Sequence, residues 1–330
     1  MRFALRAAAS IALFLACQQP SAADDAWFQL EARIDMPDVA GRIDHLAYDV
    51  AGRRLFVAEL GNDSIDVVDV AGRAVIHRIG SLHEPQGIAW SPGLGRLYVA
   101  SGDGTVNAYS GADYSLVATV RLGNDADNLR LDEATNRLYA GYGEGAIAVL
   151  DAATLARQGE IGLKAHPESF QLAPDARLFV NVPGAQEVAV ADRRLLRQIA
   201  SWSGGDARAN YPLALDVPND RVLVVFRRPA SITSYRMKDG KALGKAAACA
   251  DADDLFVDER RQRTYVICGD GFVDVLDTAL AREARFRTAS GARTGLYSRE
   301  ADRLFVAVRA LGEAPAAVWI LAPAKSPAPR

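Results

Sequence analysis

Four carboxylates stand at matching places in this chain of 330 residues. Asp44, Asp127, Glu168 and Asp253 each precede, by five residues, the end of a short apolar segment. Carboxylates that converge on one place disfavour one another's ionisation unless a cation lies between them. Three outcomes follow: a bound divalent cation such as Ca²⁺ or Zn²⁺, a carboxylic acid with a raised pKa for acid–base chemistry, or ion pairs with Arg42, Arg130 and Arg293 that serve the structure alone.

These carboxylates belong to a set of seven equivalent positions. Aligning the apolar segments on their ends gives the inner set Asp44, Gln86, Asp127, Glu168, Tyr211, Asp253 and Arg293. Two residues earlier lies the outer set Arg42, Glu84, Asp125, His166, Ala209, Asp251 and Gly291. The residues between the two sets are mostly apolar or small, and this period of two indicates a common orientation.

Two histidines adjoin the inner set and extend the chemistry it offers. His45 and His166, with Glu84, Glu168 or Asp127, could form a His/carboxylate metal site, although a strand histidine is more often a hydrogen-bonded structural group. The metal candidates are Asp127, Glu168 and Asp253, and the catalytic candidates are His166, Glu168 and Arg293. The predicted ligand-binding residues are His45, Glu84, Gln86, Asp127, Asn128, Arg130, His166, Glu168, Asn210, Asp253, Asp254, Arg293 and Thr294.

The elements that position these residues are repeats. Seven strands begin with Arg54, Arg96, Arg137, Arg177, Arg221, Arg263 and Arg303, at spacings of 42, 41, 40, 44, 42 and 40 residues. Around each lie an apolar strand, a tight turn, the Arg-led strand, a Gly/Asn/Asp turn and two further strands. Four short strands in roughly 40 residues, repeated, are typical of a β-propeller blade of the kind found in WD40-like repeats.

We therefore predict an all-β, single-domain propeller of seven four-stranded antiparallel blades. The first strand of each blade should line a central channel, so the inner set should form a ring at one channel mouth, where polar groups converge as in ligand sites. The last unit lacks a fourth strand, which segment 27–36 should supply by pairing into the last blade. The predicted blades span residues 43–80, 84–122, 125–163, 166–202, 209–248, 251–288 and 291–322.

Several repeated residues are explained by the turns alone. Asp49, Asp132, Asp216 and Asp258 each lie five residues before an Arg, where Asp caps tight turns and the Arg can pair across the turn. The glycine-rich "GYGEG" (141–145) lies between two strands with no following helix, so it is a hairpin turn rather than a phosphate loop. No covalent-haem motif is present either. Neither a nucleotide nor haem is expected.

The repeat resembles the YVTN-type propellers, and over nearly the whole chain it is similar to their YncE-like branch. The matching segments are "EPQG" (84–87), "DADNLR" (125–130), "HPESFQL" (166–172), "ANYPLALD" (209–216), "DADDLFVD" (251–258) and "GARTGLY" (291–297). The resemblance implies a seven-bladed secreted or periplasmic propeller. It does not identify a reaction that the protein would catalyse.

The first residues are typical of an export signal. Arg2 and Arg6 precede the short apolar run 7–16, and small residues allow cleavage after Ala23, which leaves residues 24–330 as the mature chain. Acylation of Cys17, as in a lipoprotein, is the alternative. The run is too short to span a bilayer.

The mature chain carries 36 basic and 41 acidic residues, which weighs against nucleic acid as a partner.

Two cysteines remain after the signal, Cys249 and Cys268. An even pair in an oxidising compartment predicts a disulfide, with two buried thiols as the alternative.

The leading functional hypothesis is a monomeric, non-enzymatic protein of the periplasm or extracellular space that binds a small ligand, an ion or a partner protein at the mouth. The alternative is a lactonase-like hydrolase that uses a ring carboxylate or His166 as base and Arg293 with Asn210 to bind an anion.

Overall fold

A computed structural model describes residues 27–324. The predicted signal peptide 1–23 and Cys17 lie outside the described residues. Seven antiparallel sheets of four strands are arranged as blades around a central channel, as the repeats predict. Within residues 27–324 no helix is long and apolar enough to cross a membrane.

The strands follow the order of the sequence repeats. Within each of the first six blades the four strands pair in chain order, from the channel outward. Their bounds are β1 Phe28–Met36, β2 Leu46–Asp49, β3 Arg54–Glu59, β4 Ser64–Asp69, β5 Ala74–Ile79, β6 Pro85–Ser91, β7 Arg96–Ser101, β8 Thr105–Ser110, β9 Leu116–Arg121, β10 Ala126–Asp132, β11 Arg137–Tyr142, β12 Ala146–Asp151, β13 Arg157–Gly162, β14 Phe170–Leu172, β15 Arg177–Val182, β16 Glu187–Asp192, β17 Arg197–Ser203, β18 Arg208–Asp216, β19 Arg221–Arg228, β20 Ala230–Arg236, β21 Ala242–Ala247, β22 Ala252–Asp258, β23 Arg263–Cys268, β24 Phe272–Leu276, β25 Arg282–Arg287, β26 Gly295–Ser298, β27 Arg303–Val308 and β28 Ala316–Pro323.

Short 3₁₀ turns interrupt the strands at three places. They span Leu60–Asn62, Pro183–Ala185 and Val217–Asn219. Pro183 and Pro218 begin or continue two of these turns, where a fixed φ suits a helical start.

The last blade is closed by the N-terminal strand. Strand β1 pairs antiparallel with β28, from Phe28 opposite Pro323 to Met36 opposite Ala316. The sheet order β1–β28–β27–β26 gives this blade its fourth strand. The pairing removes an exposed sheet edge, which confirms the predicted closure.

The core lies between neighbouring blades. The Arg-led second strands are buried on both faces, as in β3, where Leu55, Phe56 and Val57 are fully buried. Apolar residues of successive blades meet in continuous clusters; Tyr98 of the second blade packs with Leu129 and Leu138 of the third. Burying a large apolar side chain contributes about 1.5–3 kcal/mol, so these clusters hold each blade against the next.

The repeated arginines link neighbouring blades. The Arg54 guanidinium pairs with Asp49 across the turn at 2.8 Å, as expected, and also donates to the Gly111 carbonyl oxygen and the Tyr114 hydroxyl of the next blade. Arg96, Arg177 and Arg221 likewise donate to backbone carbonyls 57 to 60 residues ahead. In these four blades the arginine joins one blade to the following one.

Two blade junctions lack this forward arginine link. Arg137 of the third blade instead donates to Gln158 of its own blade, and Arg193 of the fourth blade reaches back to Asp132 at 2.6 Å. Arg303 of the seventh blade pairs with Glu31 in its own sheet. Grooves of about 550 Å³ and 390 Å³ lie at these two junctions, third to fourth and seventh to first.

The sixth and seventh blades are linked by a neighbouring arginine. Arg261, two residues before the repeated Arg263, pairs with Asp302 at 2.7 Å and donates to the Ala324 carbonyl oxygen at 3.1 Å. It also pairs with Asp258 of its own blade at 2.9 Å. Asp258 therefore pairs with Arg261 rather than with the Arg263 that the spacing suggested.

Candidate functional site

The inner set of residues is presented by β-bulges. In β6, β10, β18 and β22 the pairing with the second strand shifts beside Gln86, Asp127, Tyr211 and Asp253 respectively. A bulge lets two residues oppose one on the partner strand and re-aims a side chain. The bulges thus turn these side chains to the mouth at the entry of the inner strand.

Five residues of the outer set share a left-handed backbone conformation, and four of them lie just before a bulge. Glu84, Asp125, Ala209 and Asp251 have φ between 47° and 59°, and Gly291 has φ 81°. The left-handed region costs non-glycine residues about 1 kcal/mol or more and is best tolerated by Asp and Asn. The repeated aspartates of "DAD" therefore serve the turn through Asp125 and Asp251, while the second aspartate of each motif belongs to the inner set.

Asp127 lies between the two histidines. Its Oδ1 is 4.0 Å from His45 Nε2 and its Oδ2 is 4.0 Å from His166 Nε2. These distances are too long for hydrogen bonds, so the carboxylate and the two imidazole rings interact through electrostatic attraction. Burial raises the pKa of Asp127, but both histidines together with Arg42 outweigh it and lower that pKa below its ordinary value.

His166 is fixed by the backbone of the preceding blade. Its Nδ1 lies 2.6 Å from the Gly143 carbonyl oxygen, and Asp125 Oδ2 is 3.7 Å from the same nitrogen. Burial lowers the pKa of His166, but Asp127, the Gly143 carbonyl and Asp125 outweigh it and raise the pKa to about 9. The imidazole is therefore a cation at neutral pH, which makes it a poor general base.

His45 has a similar electrostatic setting on the other side of Asp127. Its Nδ1 lies 3.7 Å from Asp44 Oδ1. Burial lowers the pKa of His45, but Asp44, Asp254 and Asp127 outweigh it and raise that pKa. Asp44, which is 3 % exposed, also pairs with Arg42 at 2.8 Å.

Asp253 is held by two arginines. Arg293 Nε lies 2.8 Å from Asp253 Oδ2, and Arg227 Nη2 contacts the other carboxylate oxygen. Arg227 also lies 4.0 Å above the Tyr211 ring. Arg227 is absent from the predicted ligand-binding residues, although β19 has eight residues where the other second strands have six, and its extension carries "RR".

Glu168 is the ring carboxyl without a cationic partner. Among residues 27–324, no Lys, Arg or His nitrogen lies within 4.0 Å of its oxygens, whereas Asp44, Asp127 and Asp253 all have one. Burial, followed by repulsion from Asp127, raises the pKa of Glu168 to about 7. A carboxyl that is half-protonated at neutral pH faces the mouth at this position.

The remaining candidates have varied surroundings. Gln86 donates to Asp125 of the next blade at 3.0 Å, and Glu84 is exposed. Asn210 is 1 % exposed and donates to Asn181 and to the Glu187 carbonyl oxygen, so its side chain serves the fourth and fifth blades rather than a ligand.

Three further candidates lie deeper, beside the bulges. Thr294 is buried and its hydroxyl lies 3.3 Å from the Ile43 carbonyl oxygen. Asn128 is buried, and its Oδ1 has no hydrogen-bond donor in the described part of the chain. Asp254 Oδ2 accepts the Gly295 amide hydrogen at 2.8 Å. Burial, partly offset by His45, raises the pKa of Asp254 to about 6.

The metal candidates Asp127, Glu168 and Asp253 do not form a compact set of ligand atoms. Over residues 27–324, one group of three His, Cys, Asp or Glu side chains has ligand atoms within 4.8 Å of one another, namely Cys249, Cys268 and Asp270. The two sulfurs of that group form the predicted disulfide, with Cα atoms 5.8 Å apart. Three of the four ring carboxylates are instead held in ion pairs, and Glu168 is the exception among the described residues.

Comparison with known proteins identifies the fold. The chain is similar to a chain in the crystal structure of mitotic checkpoint complex, with a TM-score of 0.77 and 14 % identity over 98 % of this chain and 99 % of that chain. In all, 1780 chains of solved structures match it, so the fold is compatible with many functions. No protein-family model and no curated protein matches the sequence.

Proposed function

We propose that this propeller is a non-enzymatic binding protein that takes a small ligand with a cationic group, or a metal cation, at the channel mouth beside Glu168. The proposal places the protein in the periplasm or outside the cell, in agreement with the disulfide. It also retains the YncE-like resemblance, which is supported by the six matching segments, four of which form bulged strand entries.

One observation carries the proposal. The other ring carboxylates are paired with arginine or histidine within 4.0 Å, whereas for Glu168 the more distant His166 and Arg227 only partly offset burial and the repulsion from Asp127 and Asp253. A cation placed beside Glu168 would remove this repulsion and lower the pKa of the carboxyl. Binding energy is therefore available at this position for a positive group.

Calorimetric titration with CaCl₂ and with 1,4-diaminobutane tests the proposal. At pH 7 a group with a pKa near 7 is half protonated, so binding of either cation should release about half a proton per chain. Titrations in two buffers of different ionisation enthalpy measure that release. Glu168→Gln should abolish both the release and the binding.

The matched control is Glu300→Gln, which changes an exposed turn carboxylate far from the mouth. It should bind as the wild type does. Failure of both cations to bind, or unchanged binding by Glu168→Gln, would overturn the proposal.

A lactonase-like activity is the second candidate, and the pKa of Glu168 favours it. A carboxyl with a pKa near 7 is suited to proton transfer at neutral pH, and Arg293 lies on the same ring to bind an anionic group. Incubation with γ-butyrolactone and acyl-homoserine lactones, with and without Ca²⁺ or Zn²⁺, tests this. Turnover by the wild type that is lost in Glu168→Gln would support a hydrolase. Absence of turnover by the wild type would rule out this second candidate function.

A further inference from the structure

The channel beneath the ring is lined by two layers of side chains. Counting along each inner strand, the first layer below the ring contains His45, Gly87, Asn128, Ser169, Pro212, Asp254 and Thr294. Two residues further, on the same face of each strand, the second layer contains Ala47, Ala89, Arg130, Gln171, Ala214, Phe256 and Leu296. The first layer is mostly polar, whereas the second is apolar except for one guanidinium and one amide.

Six of the seven residues of the second layer, together with His45 and Asp254 of the first, line a cavity of about 420 Å³. Its ring-side end is lined by His45, Arg130 and Asp254, and it extends past Phe256 and Leu296 toward the strand ends on the face opposite the mouth. A volume of this size lies within the range of small-molecule sites, which combine apolar walls with a few polar groups.

Arg130 is the polar group of this cavity that lacks a partner of opposite charge. Over the described part of the chain, no carboxylate oxygen lies within 4.0 Å of its guanidinium; its Nη1 donates to the Leu129 carbonyl oxygen at 2.7 Å. The guanidinium lies 5.5 Å above the Phe170 ring. Burial lowers its pKa, although Asp254 and Asp127 oppose that effect. One of its five N–H donors is used by the Leu129 carbonyl oxygen and no other acceptor contacts the guanidinium among the described residues, so the remaining donors of this half-buried side chain are available to a ligand.

We propose that this cavity binds a small apolar carboxylate, with the carboxylate on Arg130 and the apolar body between Phe256 and Leu296. A guanidinium and a carboxylate form paired, charge-assisted hydrogen bonds, and aromatic and aliphatic walls suit the body. The ligand enters from the face opposite the mouth, so this site is independent of the cation site at Glu168.

Asp254 sets the orientation of the ligand. Its carboxylate lies in the layer above Arg130 and lines the same cavity. Because it would repel a second carboxylate, the ligand's charged end must contact Arg130 from the side away from Asp254. Replacing Asp254 by Asn removes the repulsion and should tighten binding.

Calorimetric titration of the mature chain with indole-3-acetate tests the proposal, and indole-3-acetamide is the matched neutral probe. The acetate should bind at least 10-fold more tightly than the amide. Arg130→Gln should weaken acetate binding at least 10-fold, while Arg130→Lys should restore part of it. Asp254→Asn should strengthen it severalfold.

A second variant blocks the cavity without touching the charge. Leu296→Trp fills the apolar part and should also abolish acetate binding, with circular dichroism used to confirm that the propeller is folded. Glu168→Gln at the mouth should leave acetate binding unchanged, which separates this site from the proposed cation site. Equal binding of acetate and amide, no binding of the acetate, or unchanged binding by Arg130→Gln would each overturn the proposal.

Discussion

Gly87 of the second blade lies directly against the carbonyl oxygen of Asp127 in the third blade. A Cβ atom on Gly87 would be 1.6 Å from that oxygen, a distance far shorter than a van der Waals contact. The backbone that carries one ring carboxylate thus rests on a glycine of the neighbouring blade. The spacing between these two inner strands depends on the absence of a side chain.

Gly87→Ala should therefore destabilise the propeller by about 3 kcal/mol or more, at the upper end of overpacking costs, because backbone rather than a flexible side chain must move. Urea unfolding followed by circular dichroism measures this loss. Gly80→Ala is the matched control, since a Cβ there has no atom within 4 Å. A Gly87→Ala protein as stable as Gly80→Ala would contradict the close approach.

The pKa of Glu168 predicts how stability depends on pH. Its pKa is raised from 4.5 to about 7 in the folded chain, so the folded state holds the proton more tightly than the unfolded state. Stability is unaffected below pH 4.5 and falls as the pH rises through 7, by at most about 3 kcal/mol. Glu168→Gln should remove this fall.

Thermal unfolding of the wild type and Glu168→Gln at pH 5 and pH 8 measures the effect. The variant should gain stability relative to the wild type as the pH rises. Glu300→Gln, at an exposed turn, should show the wild-type dependence. A constant difference between the wild type and Glu168→Gln at both pH values would show that this carboxyl is not perturbed.

The inter-blade arginine links predict unequal effects of identical substitutions. Arg54→Lys loses the bonds to Gly111, Tyr114 and Asp49, because an ammonium cannot reproduce the planar set of donors. We expect a loss of about 1–3 kcal/mol. Arg137→Lys, at the equivalent position without a link to the next blade, should cost less than about 0.5 kcal/mol. Chemical unfolding compares the two, and equal losses would refute the role of the link.

The disulfide predicts a redox-dependent stability. Cys249 and Cys268 are 19 residues apart, and a loop of that size contributes about 3 kcal/mol when closed. Dithiothreitol should lower the melting temperature of the wild type. It should have no effect on the double variant Cys249→Ser, Cys268→Ser, and the reduced wild type should melt close to that variant. A wild type insensitive to the reductant, with free thiols by titration, would contradict the bond.

The blades and the ring positions could be predicted because the repeat brings equivalent residues to equivalent places. Asp127 and Asp253 follow from the repeat alone. Arg227 could not be found in this way, since it extends from a second strand and meets Asp253 of the next blade only in three dimensions. The same holds for Asn210, which occupies a repeat position but bonds to Asn181 and Glu187 between blades. Contacts unique to one pair of blades leave no periodic signal.

The arginine links leave one junction of the ring without a bridge. Forward links join the first three blades to one another, and further links join the fourth through the seventh. The third and fourth blades are joined by the backward pair between Arg193 and Asp132, so the seventh-to-first junction, where Arg303 pairs within its own sheet, is the one without such a link among residues 27–324. We therefore expect the ring to open there first, and amides beside the groove at that junction should exchange with deuterium before those of the linked junctions. Asp44 and Arg293 belong to the two blades that meet there, so such a movement would widen the channel mouth between them.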